Sequence, residues 1–175
     1  MNKGLVHIYC GEGKGKTTAA FGLAFRCAGR GNKVLILQFL KGGVTGEVLL
    51  AERIQEITVI CGNASEKFTF MMSEEEKIAV RDKHNENIEK ASELVSGGEY
   101  RMLVLDEVMA AWNENLIDRR AVLELIRKRP DGLEVVMTGR NPPKELFEMA
   151  DYISEISKLR HPYDMGIPAR DGIEQ

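Results

Sequence analysis

Tyr9-Cys10-Gly11-Glu12-Gly13-Lys14-Gly15-Lys16-Thr17-Thr18 is the stretch whose reading decides the fold. Three glycines alternate with polar residues, so the backbone can turn tightly and aim several N–H groups inward. Lys16 sets a cation against phosphates, and Thr17 offers a hydroxyl to a magnesium ion. A short apolar run, Leu5-Val6-His7-Ile8-Tyr9, precedes the loop, and an amphipathic run over about 16–28 follows it. Strand, glycine loop and helix in that order build a phosphate-binding loop, and the helix adds the positive end of its dipole. The usual G-x-x-x-x-G-K-[ST] pattern lacks its first glycine: Cys10 stands there, with Gly11 one place later. A turn that only joined a strand to a helix would not need Gly-Lys-Thr at its end.

Outward from the loop, strand-like and helix-like segments alternate. In the helix over 16–28, Ala19, Ala20, Leu23, Ala24 and Cys27 are expected to face the sheet. Residues 33–39 form a near-continuous apolar run, as a parallel strand covered on both faces should. It ends in Gln38-Phe39-Leu40-Lys41-Gly42-Gly43, and polar groups with glycines at a strand's carboxyl end mark the ligand edge of an open α/β sheet. A short helix is expected over 47–54 and a third strand over 57–61. Ser73 and Glu76 form a capping box that opens a long helix to about residue 95. Its charged residues, His84 with them, read as a solvated face. Arg101-Met102-Leu103-Val104-Leu105 then runs into Asp106-Glu107. That resembles a Walker B element, whose aspartate holds Mg²⁺. Asp118 caps another helix, 133–137 is a fifth strand ending at Thr138-Gly139-Arg140, 141–150 is helical, and 152–156 is a sixth, more polar strand. The tail, 158–175, has no period.

The alternation predicts one P-loop NTPase domain of α/β class over 1–175, RecA-like, with a mostly parallel six-stranded sheet and helices on both faces. In the RecA-like order the 133–138 strand lies between the loop strand and the Asp106 strand. Thr138 and Arg140 are then expected at the end of the phosphate site.

The 175 residues are 43% hydrophobic and 29% charged, the composition of a globular domain that buries its own core. A formal net charge of −3 with scattered basic residues argues against a nucleic-acid partner. Three cysteines without a C-x-x-C pair form neither a disulfide framework nor a zinc site, and read as buried or half-buried thiols in a reducing cytosol. The first strand begins too early for a signal peptide, and no apolar run has membrane-spanning length. The expectation is a cytoplasmic protein with no membrane partner.

The loop and Asp106 indicate a nucleoside triphosphate with Mg²⁺ or Mn²⁺, without saying which bond breaks. In a hydrolase Glu107 would orient a water at the γ-phosphate. A kinase would carry an arginine-rich lid, and none is visible. Phe68, Phe70, Met71 and Met72 cluster in a connection that should be polar. Either that segment folds onto the core, or it forms a hydrophobic wall for a large apolar second substrate.

Across nearly its whole length the sequence resembles the ATP:corrinoid adenosyltransferases, which act on cobalamin and its precursors. The resemblance rests on 11–22, on Gln38-Phe39-Leu40-Lys41-Gly42, on Leu105-Asp106-Glu107, on Thr138-Gly139-Arg140, and on the tail from His161 through Asp164, Gly166 and Gly172-Ile173. The loop of that family also lacks the first glycine. The resemblance implies a role in cobalamin biosynthesis, in which Co(I) of a corrinoid attacks the 5′ carbon of ATP and triphosphate leaves. It implies catalytic roles for Lys16 and Glu107, and ATP contacts from Gly11, Glu12, Gly13, Lys14, Gly15, Lys16, Thr17, Thr18 and Arg140. It places Mg²⁺ or Mn²⁺ at Thr17, Asp106 and Glu107, and the corrinoid at Phe68 and Phe70. The family pattern there is Phe-Thr-Trp, and Phe70 stands for the tryptophan. The chain starts at the first strand, so the N-terminal cover that many members lay over a partner subunit's corrinoid is expected to be missing or supplied elsewhere. A homodimer and an electron-donating reductase are implied partners. A RecA-like ATPase, or a nucleotide-binding protein without corrinoid chemistry, are the other readings of the same residues.

Overall fold

The structure, a computed structural model, describes residues 3–41, 45–61, 67 and 69–174. Six parallel strands form one sheet in the order β3-β2-β4-β5-β1-β6. They are β1 (Val6–Cys10), β2 (Lys33–Gln38), β3 (Ile57–Ile60), β4 (Tyr100–Asp106), β5 (Glu134–Thr138) and β6 (Tyr152–Glu155). The helices are α1 (Lys16–Ala28), α2 (Gly46–Ala51), α3 (Glu74–Ser96), α4 (Val108–Asn113), α5 (Arg119–Arg127) and α6 (Lys144–Phe147). This is the expected α/β P-loop sheet, and β5 does lie between β1 and β4.

Period-two alternation in the buried strands feeds two cores. Leu35, Leu37, Leu103, Leu105, Val135 and Met137 meet Ile88, Ala91, Trp112 and Ile126 on one face. Val34, Ile36, Met102, Val104 and Val136 meet Ala20, Phe21, Ala24 and Val48 on the other. Each of the Val, Leu, Ile, Met and Phe side chains taken from water is worth about 1.5–3 kcal/mol, so the sheet is fixed by both layers. At its amino edge, His7 Nε2 lies 2.9 Å from Glu134 and the imidazole stacks on Tyr152, so this strand histidine is packed.

Several elements depart from the sequence reading. The α1 stripe runs through Ala20, Phe21, Ala24 and Ala28, with Ala19 exposed and Leu23 and Cys27 only half-buried. Phe21, the largest side chain of that stripe, is fully buried. Residues 141–150 contain a single helical turn, α6, which starts only after Pro142 and Pro143, with Pro143 as its N-cap. Helix α4 carries the buried Trp112 and lacks the length for a readable period. The cysteines divide: Cys10 is buried, Cys27 half-buried and Cys61 exposed.

The clearest correction is His84. It is fully buried, not part of a solvated face. Val80, His84, Asn87, Ile88, Ala91 and Val95 make one inward stripe on α3, and two polar members hide that stripe from a hydrophobic period. The capping box is present: Ser73 accepts from Glu76 N at 3.2 Å, and Glu76 accepts from Ser73 N at 2.8 Å. Among the described residues no helix is long and apolar enough to cross a membrane.

Candidate functional site

The carboxyl ends of β1, β2, β4 and β5 meet around the glycine loop. Gly11 and Gly15 adopt φ of 104° and 112°, which disfavour any side chain. Gly13 N donates to Ile156 O at 2.7 Å. A Cβ on Gly11 or Gly13 would approach that carbonyl to 2.5 Å or 2.7 Å. The loop is therefore laid directly on the chain leaving β6. No acid occupies the first turn of α1, whose leading N–H groups have no partner within the helix. That end of the helix suits an anion.

Lys16 is buried, and its Nζ donates to Gly11 O at 2.7 Å and Gly13 O at 2.8 Å. Burial holds its ammonium below the ordinary lysine range, while Glu107 opposes that shift. Thr17 Oγ1 donates to Asp106 Oδ1 at 2.9 Å. Thr18 Oγ1 reaches Glu47 at 3.4 Å.

Asp106 has no exposed surface and is the hub of the site. Beside Thr17, it accepts from Thr138 Oγ1 at 2.7 Å, Gln38 Nε2 at 2.9 Å and Lys41 Nζ at 2.8 Å. Burial alone would push its carboxyl up. The Lys41 ammonium and the hydrogen bonds from Lys41, Gln38 and Thr138 outweigh burial and hold it below the ordinary carboxylate range. Lys41 Nζ also reaches Thr17 Oγ1 at 3.1 Å. Glu107 sits at φ 61°, a left-handed angle, with its N–H on Thr138 Oγ1 at 2.9 Å. Burial, then the neighbouring Asp106, push the Glu107 carboxyl up against Lys41, Lys16 and Arg140.

A cleft of about 700 Å³ is lined by Glu12, Gly13, Lys14, Gly15, Lys16, Thr17, Thr18, Lys41, Glu107 and Arg140. Arg140 pairs with Glu12 across its mouth at 3.2 Å. The tail closes one side, with His161, Gly172, Ile173 and Glu174 in the lining. Glu174 accepts from Lys14 at 2.9 Å and from Arg170, and these bonds hold its carboxyl well below the ordinary range. The tail is thus latched to the loop.

The structure brings together every residue expected at the nucleotide and metal. The Phe68 expectation lies outside the described residues, as do Gly42 and Gly43. Phe70 is 82% exposed on a 3₁₀ turn, Thr69–Met71, while Met72 is buried against Val80 and Leu116. The aromatic segment therefore divides: its end anchors in the core and Phe70 faces out. Gln38 and Lys41, quoted in the sequence only as part of the polar stretch at the ligand edge, had no individual role assigned; the structure sets both on Asp106. Their position at the end of β2, the neighbour of β4, was the available signal.

Among the described residues no cluster of three or more His, Cys, Asp or Glu could hold a metal. Thr17 and Asp106 do supply hard oxygen atoms 2.9 Å apart. That donor set fits Mg²⁺, which takes few protein ligands and completes its shell with phosphate oxygens and water.

A six-stranded parallel sheet, a glycine loop after its first strand and an Asp-Glu pair after its fourth define a RecA-like P-loop domain. The sequence matches the family described as ATP:corrinoid adenosyltransferase BtuR/CobO/CobP over residues 2–175. A corrinoid adenosyltransferase of Sinorhizobium sp. is 35% identical over 175 residues, covering 98% of this chain and 80% of that protein. Those of Pseudomonas aeruginosa and Escherichia coli K12 are each 32% identical, covering 98% of this chain and 84% and 86% of theirs. The chain belongs to the ATP:corrinoid adenosyltransferase family, a family of transferases.

Proposed function

We propose that this protein transfers the 5′-deoxyadenosyl group of ATP to Co(I) of a corrinoid, cobalamin or a precursor, and releases triphosphate. The observation that carries the reading is Asp106, buried and bound to Thr17 beside the Lys16 loop, in a chain of this family. The electron pair of Co(I) forms the bond to C5′. The C5′–O bond breaks, and its electrons leave on the triphosphate.

A departing triphosphate needs charge neutralised along its length. The N–H groups of 11–17, Lys16 and Arg140 would supply that neutralisation. Gly11, Glu12, Gly13, Lys14, Gly15 and Thr18 shape the ATP contact. Mg²⁺, or Mn²⁺, held by Thr17, Asp106 and Glu107 adds positive charge at the phosphates when bound. Glu107 orients the ribose or the metal side and takes no proton, because Co(I) is itself the nucleophile. Lys41 and Gln38 hold Asp106 ionised. Phe70, together with Phe68, forms the apolar wall at the corrin. In this reading 1–175 acts as one domain and as a homodimer in the cytoplasm, receives electrons for Co(I) from a reductase, and binds neither nucleic acid nor membrane.

The test is purified protein with ATP, Mg²⁺ and a chemically reduced corrinoid, followed by the cobalt–carbon absorption change and triphosphate release. Both products in equal amount are expected. Phosphate release that ignores the corrinoid would replace this reading with a RecA-like ATPase. ATP binding without either product would leave a nucleotide-binding protein.

A further inference from the structure

We infer that His84 is a positioning residue for this site, holding the backbone of Leu40 so that Lys41 stands at Asp106 and Thr17. The inference rests on the nucleotide-site reading and concerns how one of its charges is placed. Lys41 Nζ lies 2.8 Å from Asp106 Oδ2 and 3.1 Å from Thr17 Oγ1. Its Cα position follows from the backbone angles of Leu40, the preceding residue. Leu40 has φ 56°. A leucine adopts that left-handed conformation at a cost, so its surroundings must impose it.

Three contacts impose it. Phe39 N donates to Asp106 O at 3.0 Å and ties the chain to the end of β4. The Leu40 side chain packs into the small cluster of Met72, Val80 and Leu116. Leu40 N donates to His84 Nε2 at 3.4 Å. The imidazole is itself locked: Nδ1 lies 2.9 Å from Leu116 O, and the ring meets Phe39 edge-on at a centroid distance of 5.1 Å. A carbonyl can only accept, so Nδ1 carries the proton and Nε2 presents its lone pair to Leu40.

Val80 and His84 lie one helical turn apart on α3, and so share a face. That face holds the Leu40 side chain with one residue and its amide with the other. Leu116 likewise serves both, its carbonyl on His84 and its side chain on Leu40. A phenylalanine would fill the volume of His84. Only a group with a donor at one end and an acceptor at the other joins Leu116 O to Leu40 N. A purely space-filling histidine would not need its acceptor aimed at the one amide that precedes Lys41.

The experiment is calorimetric titration of ATP with Mg²⁺ into the full chain as wild type, His84→Phe, His84→Gln, Lys41→Met and His84→Phe/Lys41→Met. His84→Phe is expected to weaken binding about 3- to 10-fold, the range one hydrogen bond governs. His84→Gln, whose amide both donates and accepts, is expected to recover most of the loss. The double variant is expected to bind as Lys41→Met does, since a residue that acts through Lys41 has nothing left to place. An equal loss from His84→Phe in both Lys41 backgrounds would overturn the inference, as would unchanged affinity in folded His84→Phe. If His84→Phe does not fold, His84→Asn, too short to reach both partners, takes its place in the cycle with the same two outcomes. The readout needs no corrinoid. Absent adenosyl transfer with this coupling intact would overturn the proposed function alone, and absent ATP binding in the wild type would overturn both.

Discussion

Asp106 shows what a single residue has to solve in this site. A bare carboxylate without exposure costs several kcal/mol, and removing one partner of a buried pair typically costs about 3–5 kcal/mol. Here Lys41, Gln38, Thr17 and Thr138 together supply the compensation. Lys16 is different, because its ammonium rests on loop carbonyls and not on the core. Lys16→Ala is expected to lower ATP-dependent activity about a hundredfold or more, the scale on which one preorganised donor acts, with an unchanged far-ultraviolet circular dichroism spectrum. Full activity in that variant would remove the phosphate-loop assignment. His84 yields a pH prediction. Burial depresses its pKa below the ordinary 6.5, against the hydrogen bond to Leu116. The unfolded chain then binds a proton that the folded one refuses, so stability is complete above that value and falls as pH drops through it. Urea midpoints from about pH 7 to pH 5 should fall more steeply for the wild type than for His84→Gln. Parallel pH profiles would show that His84 binds its proton equally well in the folded and unfolded chain, and would overturn this expectation.

At the scale of elements, the glycine loop is determined from two sides. Gly15 answers to its own φ, and Gly13 answers to the Ile156 carbonyl just past β6. Gly13→Ala must move the chain leaving β6, and is expected to lower both the melting temperature and ATP affinity. An unaltered affinity would mean that β6 does not brace the loop. Gly22, exposed on α1 with open space where a Cβ would go, has no such constraint. Gly22→Ala is expected to stabilise the protein by about 0.5–1 kcal/mol through helix propensity, read by thermal melting. The Thr69–Met71 turn leads into α3, and Met72 pins it while Phe70 stays exposed. Phe70→Ala should therefore raise the KM for the corrinoid and spare both the melting temperature and ATP binding. A lost fold with no corrinoid-specific defect would instead make Phe70 a core residue.

For the whole molecule, strand order is what assembles the site. β1 carries the loop and β4 carries Asp106, with β5 between them. Thr138, at the end of β5, bridges the gap by bonding Asp106 and the Glu107 amide. The tail then closes the cleft, 160 residues along the chain from the lysine it holds. Light scattering on the purified chain tests the proposed homodimer, with a mass of twice 19.6 kDa expected and a monomer the contrary result.

Local chemistry made much of this legible. Glycines beside Lys16-Thr17, apolar runs of strand length, the Ser73–Glu76 box and Asp106-Glu107 are signals that neighbours in the chain create, and each lies where it was expected. Lys41, Gln38, His84 and Glu174 were not legible in that way. Each depends on a partner brought from another strand, helix or loop, and polar residues carry no period that reveals such a partner. The sequence by itself determined the order of the strands, of the helices other than α4, and the phosphate loop, because those follow from turn conformation and hydrophobic spacing. Only the tertiary structure decided which polar side chains are buried and what they hold, because the cost of burying a charge is met by groups that are distant in the chain.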